Sequence, residues 1–247
     1  MPTELSLIRP DWPAPPGVSA ITTTRAGGVS GPPWSSLNLG QHVGDDPAQV
    51  AENRLRLCRA AKLSSQQFGW IEQVHGTRVV QLPLVNAPPA DASITRRKGE
   101  ACVIMTADCL PVLFCDDKGS RAGAAHAGWR GLCNGVLEQT VAALGEADTL
   151  MAWLGPAIGP QHFEVGPEVR EAFIAKSPAA SQAFTATGAR PGHFMADIYQ
   201  IARLRLADVG VTRVYGGQLC TVSDPERFYS FRRDGQTGRM ASVIWLH

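Results

Sequence analysis

The sequence has no long hydrophobic run. Its longest apolar stretch, Leu110 to Cys115, is of strand length, far short of the roughly 20 residues that cross a bilayer as a helix, so no membrane partner is expected. Neither sign of charge is in excess, with 23 Lys and Arg against 22 Asp and Glu. Basic residues gather only in short runs such as Arg96-Arg97-Lys98 and Arg232-Arg233. No stripe that could follow a phosphate backbone results, and nucleic acid is not an expected partner. Internal repeats, low-complexity tracts and Gly-, Ser- or Pro-rich linkers are also missing, which leaves residues 1–247 as one continuous domain. Paired Cys-x-x-Cys groups, the mark of a structural zinc site, do not occur. The first twenty residues contain Pro10, Pro13, Pro15, Pro16, Glu4 and Asp11, which breaks the apolar core of a signal peptide and makes a cytoplasmic location the expectation. In that compartment the six cysteines, Cys58, Cys102, Cys109, Cys115, Cys133 and Cys220, read as buried thiols with one or two chemical exceptions, not as a disulfide framework.

What is present is the composition of a globular protein, 44% apolar and 18% charged. The turn Gly44-Asp45-Asp46-Pro47 offers a cap and a first helical turn for a helix over Val50 to Ala61. Apolar spacing predicts further helices over Gly131 to Leu144, Gly166 to Lys176 and Asp197 to Val209. Strands are expected at Trp70 to Val74, Val79 to Leu82, Ala101 to Thr106, Leu110 to Cys115, Gly123 to His126, Leu150 to Leu154, Thr212 to Tyr215 and Met240 to Leu246. Strand and helix are mixed without regular βαβ alternation, which argues for α+β layering over a doubly wound sheet.

Three segments place a metal-capable side chain where a strand meets a tight turn: Gln73-Val74-His75-Gly76, Thr106-Ala107-Asp108-Cys109-Leu110-Pro111 and His126-Ala127-Gly128-Trp129-Arg130-Gly131. Small neighbours leave room for an ion or ligand. Two imidazoles and a thiolate suit zinc, and three ligands leave a fourth position for water or substrate, the pattern of a catalytic site. The ligands are separated by 34 and 17 residues, so spacing alone leaves open the alternative of core histidines and a buried thiol. The remaining histidines, His42, His162, His193 and His247, lie in loop-like or terminal contexts and are weaker candidates. Arg130 at a helix start, Arg25 and Arg54 are possible anion ligands or solvated surface charges.

Taken in order, these segments resemble the YfiH family, also called laccase-domain proteins or multifunctional purine nucleoside phosphorylases and formerly polyphenol oxidases. The resemblance runs nearly end to end. It includes Thr23-Thr24-Arg25, Leu37-Asn38-Leu39-Gly40, His42-Val43-Gly44-Asp45-Asp46, Asn53-Arg54, the three segments above, Gly155-Pro156-Ala157-Ile158-Gly159-Pro160 and Phe228-Tyr229-Ser230-Phe231-Arg232-Arg233-Asp234. It implies a multilayer α-β-β-α sandwich with zinc held by His75, Cys109 and His126. It further implies phosphate-dependent cleavage of adenosine, inosine, guanosine and methylthioadenosine, with adenosine deamination as a second activity. Within that expectation Arg54 is assigned to phosphate and Asn38 to a polar contact with substrate, with Arg130 and Arg25 as further anion ligands and the role of Asp108 left open.

Some family members look like editing factors that act on a nucleotide-linked cell-wall precursor, and the motifs do not separate the two roles. A metal-free hydrolase with Cys109 as nucleophile and His126 or His75 as base uses the same residues. A copper phenol oxidase is a further rival, although multielectron oxygen chemistry needs more histidines than those left over. A non-enzymatic binding module fits poorly with an open metal position. A monomer is expected.

Overall fold

Two β-sheets lie face to face, and helices cover both outer faces, in the computed structural model, which describes residues 5–247. One sheet has five strands in the order Leu7–Ile8, Val18–Thr23, Met240–Leu246, Ala101–Thr106 and Phe68–Gly69. The other has six, in the order Arg213–Gly216, Leu150–Leu154, Leu110–Asp116, Ala122–Ala127, Ala92–Thr95 and Val79–Gln81. A small third sheet pairs Phe194–Ala196 with Glu164–Val165 and Phe184–Thr185.

The sequence builds these layers through strands that are apolar on both faces. In Met240–Leu246, Ile244 and Leu246 enter the layer between the sheets, while Ala241, Val243 and Trp245 face outward beneath the helix Pro47–Ala61. In Leu110–Asp116, Leu113 and Cys115 face the first sheet, while Leu110, Val112 and Phe114 meet the helices Val136–Leu144 and Ile198–Asp208. The expected α-β-β-α sandwich is therefore the observed one.

The first long helix starts at the cap read from the sequence, and a second aspartate caps another. Asp46 accepts from the Ala48 amide and Pro47 opens the helix Pro47–Ala61, and Asp197 accepts from the amides of Tyr199 and Gln200 to open Ile198–Asp208. Two expectations are corrected. The helix over Gly131 to Leu144 is two helices, Trp129–Asn134 and Val136–Leu144, because Gly135 takes φ 103° between them. Trp70 to Val74 forms no strand; it makes a single isolated bridge outside the sheets, Glu72 with Pro89. The strands Val18–Thr23 and Ala92–Thr95 are additions. No helix among the described residues is long and apolar enough to cross a membrane.

Candidate metal centre

Cys109 sits where the chain leaves one sheet for the other. Ala101–Thr106 belongs to the five-stranded sheet and Leu110–Asp116 to the six-stranded one, so the intervening turn is a crossing between layers, with Asp108 held at φ 89°. His126 lies on Ala122–Ala127, opposite Pro111. His75 comes from the turn after the bridging segment, at φ 59°. Positive φ is uncommon outside glycine, although Asp and His adopt it more readily than most residues, and surrounding contacts hold both turns.

For His75 that contact is Asp91, a residue the sequence reading did not single out. Its fully buried carboxylate accepts backbone N–H groups from Val74, His75 and Gly76 at 3.2, 2.9 and 2.6 Å. The same carboxylate lies 2.8 Å from Nδ1 of His126, and the carbonyl of Asp91 accepts from the His126 amide at 2.7 Å. Asp91 thereby presents Nε2 of His126 to the centre.

The ligand atoms of His75, Cys109 and His126 all lie within 4.8 Å of one another, and Sγ of Cys109 is 3.9 Å from Nε2 of His75. This is the donor set and compactness that a small borderline-soft cation with bonds of about 2.0–2.3 Å requires. His126 is buried, Cys109 half-buried and His75 exposed, so the centre opens on one side. Gly128 makes the room: a Cβ there would stand 2.9 Å from Cδ2 of His75 and 3.0 Å from Sγ of Cys109.

Burial favours the neutral thiol at Cys109, but His126 and His75 outweigh it and bring its pKa down to about 6. Burial likewise opposes a charged His126, yet the Cys109 thiolate and Asp91 hold it up to about 9. The centre therefore favours the thiolate, the form that binds metal. Elsewhere burial alone dominates, pushing Cys102 and Cys115 up to about 12 and raising Cys58 and Cys133 as well. Those four are inert core thiols.

Two cavities flank the centre. One, of about 270 Å³, is lined by His75 and Cys109 together with Trp129, Phe163, Ile198 and Phe231. The other, of about 250 Å³, contains all three metal-capable side chains together with His42, Gln73 and Arg239. Phe231 borders both and is 58% exposed, a flat apolar face left open beside polar groups. Gln73 is committed to the fold, since its amide makes both hydrogen bonds to the backbone of Met105.

The arginines and the amide nominated from sequence are differently placed. Asn38 is fully buried; its amide donates to Gly40 and Asp45 and accepts from the backbone of Gly40 and Arg239. It braces the site without facing a cavity. Arg54 lies over a third, adjoining cavity, stacked 3.8 Å above the Trp70 ring and bonded to the Leu39 carbonyl. Arg25 joins the Ser35 and Pro225 carbonyls away from the centre. Arg130 is exposed over Trp129 at the rim of the first cavity. Asp108 uses both carboxylate oxygens, accepting from the Thr221 hydroxyl and the Arg232 amide at 2.6 Å each, and so pins the short helix of Phe231 against Cys109. His42, a weaker candidate in sequence, comes to the site, whereas His162 turns to Ser223.

Comparison with known proteins identifies the family. Residues 19–247 match the family model described as multi-copper polyphenol oxidoreductase laccase. Purine nucleoside phosphorylase PA4543 of Pseudomonas aeruginosa is 57% identical over 240 residues, 97% of this chain and 98% of that protein. Purine nucleoside phosphorylase YfiH of Escherichia coli K12 is 55% identical over 244 residues, with 97% and 98% covered. The crystal structure of Neisseria meningitidis protein NMB0706 superposes with a TM-score of 0.93 at 49% identity, covering 97% of this chain and 98% of that one. The chain belongs to the YfiH family of laccase-like domains.

Proposed function

We propose that this chain is a zinc-dependent purine nucleoside phosphorylase acting on adenosine, inosine, guanosine and methylthioadenosine, with adenosine deamination as a second activity. The observation that carries the reading is the open His75, Cys109, His126 centre set between an aromatic cavity and a polar one. Relatives at 55% and 57% identity bear the name purine nucleoside phosphorylase, which supports the choice of reaction.

Zinc bound by these residues would supply Lewis acidity beside the reacting atoms. The chain's own groups do the rest. Asp91 fixes the orientation of His126 and the His75 turn. Phe163, Phe231 and Ile198 offer apolar faces on which a purine can lie. In phosphorolysis a phosphate oxygen forms a bond to C1′ while the bond from C1′ to N9 breaks. Its electron pair leaves with the base, which takes up a proton, and pentose 1-phosphate remains. In deamination water adds at C6 and ammonia leaves.

A second reading has one observation in its favour. Cys109 and His126 form a thiolate and imidazolium pair, the arrangement of a thiol nucleophile, suited to hydrolysis of a nucleotide-linked cell-wall precursor. A multi-copper oxidase is less well served, because the described residues bring together one cluster of three metal-capable side chains, and oxygen chemistry at several coppers needs more.

Product analysis tests the choice. Zinc-loaded protein incubated with adenosine should release adenine and ribose 1-phosphate only when phosphate is present, and His75→Ala should be inactive. Absence of both adenine and inosine despite bound zinc would overturn the purine reading. Full turnover of cell-wall precursor by chelator-treated protein, abolished by alkylating Cys109, would establish the thiol reading instead.

A further inference from the structure

We propose that Arg239 is the receptor for inorganic phosphate, in the cavity it shares with the metal centre; this assignment of the co-substrate rests on the phosphorylase reading. Three devices hold this side chain in place. Its backbone N–H donates to Oδ1 of the buried Asn38 at 2.9 Å. Its Nη1 donates to the carbonyls of Thr237 and Gly238, both at 3.0 Å. Its stem passes Gly40 so closely that a Cβ there would meet Cγ of Arg239 at 2.9 Å.

So fixed, the guanidinium has Nε and Nη2 without a hydrogen-bond partner, and no ion pair among the described residues includes it. Burial works against its charge, and a half-buried, unpaired guanidinium is an anion site in waiting. The acidic groups that face it are Cys109 and Asp108. Neither is bonded to it: no hydrogen bond or ion pair joins Cys109 or Asp108 to its guanidinium, and Asp108 is held by Thr221 and Arg232.

The neighbours fit a small anion. His42 lines the same cavity, and burial together with Arg239 and Arg54 favours its neutral form, which keeps one N–H to donate. Arg54, the phosphate ligand expected from sequence, adds positive potential from the adjoining cavity, but that cavity contains none of the three metal-capable side chains. Arg239 places an anion beside His75, Cys109 and His126, where the nucleoside must react. Two free N–H groups on one rigid fork match two oxygens of phosphate, which a lysine cannot do.

The test is titration of zinc-loaded protein with inorganic phosphate by calorimetry, beside steady-state phosphorolysis. Arg239→Gln should weaken phosphate binding and raise the KM for phosphate by about tenfold or more, leaving the nucleoside KM within about threefold. Arg239→Lys should fall between, and Arg54→Gln should have the smaller effect. Gly40→Ala, which crowds the arginine stem without removing it, should weaken phosphate in the same selective way and serves if Arg239→Gln does not fold. Unchanged phosphate affinity in these Arg239 and Gly40 variants, or no phosphate binding by the wild type, overturns the proposal. Phosphate binding that depends on Arg239 in a protein that cleaves no nucleoside would keep the anion site and discard the phosphorylase reading.

Discussion

Oδ1 of Asp91 lies 2.8 Å from Nδ1 of His126, and the same atom accepts the His75 amide at 2.9 Å. One buried carboxylate thus orients two of the three metal-capable side chains, one through its ring and one through its backbone. A carboxylate behind a ligating imidazole fixes the tautomer and raises the basicity of the nitrogen that faces the metal.

Replacing Asp91 by Asn puts an amide N–H among donors, because the carboxylate now serves three backbone amides and an imidazole. Asp91→Asn should weaken zinc binding by about 10- to 100-fold and lower stability by about 3 kcal/mol. Chelator competition reads the first and urea unfolding the second. Unaltered zinc affinity in a folded variant would show that His126 needs no carboxylate behind it.

Gly128→Ala separates the centre from the core. The added methyl reaches within 3.0 Å of both His75 and Cys109, and ring and thiol must move apart to admit it. Zinc content and activity should each fall by about tenfold or more, while the melting temperature shifts by only about 2–4 °C, as expected for a change near 1 kcal/mol in a domain of this size. Retention of full zinc content by metal analysis would sink the argument.

Asp116 bears on stability away from the centre. Burial raises the pKa of this carboxyl, but hydrogen bonds from Ser120 and Arg121 outweigh it, and the net shift is downward. A carboxyl depressed in the folded state stabilises the fold above its unfolded pKa of about 3.9, and that contribution disappears as pH falls through the folded value. Asp116→Asn should therefore be destabilised by a constant amount from pH 5 to 7, with the gap to wild type narrowing below about pH 4. Urea midpoints at a series of pH values test this; a gap that widens in acid would reverse the sign.

The metal-capable trio was legible because its members sit in short segments with turn-forming or small residues beside them, as in His75-Gly76, Ala107-Asp108-Cys109 and His126-Ala127-Gly128. What joins them was not. Asp91 lies in Ala90-Asp91-Ala92-Ser93-Ile94-Thr95, where apolar and polar residues alternate but Ile94 is the one large apolar side chain, too weak a signal to announce the strand that follows Asp91. Asn38 and Arg54 drew attention as polar residues in ordered motifs, but only the packing reveals that Asn38 is consumed by Gly40, Asp45 and Arg239. Arg239 lies just before the last strand, Met240–Leu246. That it lacks a carboxylate partner is a property of the whole fold, and no local pattern encodes it. The break at Gly135 was lost because apolar spacing continues across it.

Zinc affinity should depend on pH in two regimes set by the paired ligands. Cys109 is brought down to about 6 and His126 is held up to about 9, so between these values the thiol has already ionised while the imidazole pair retains one proton. That proton must leave before Nε2 of His126 can ligate, since Nδ1 is engaged with Asp91. Affinity should then rise by about tenfold per pH unit from pH 6 to 9, with about one proton released per zinc. Below about pH 6 the Cys109 thiol also carries a proton that must be displaced, and the dependence should steepen towards about a hundredfold per unit. Chelator competition across pH, with calorimetry in buffers of different ionisation enthalpy to count protons, reads both quantities. A flat affinity between pH 7 and 8.5 with no proton release would mean that Cys109 is already ionised and His126 already neutral in the free protein, so that the pair holds no proton for zinc to displace.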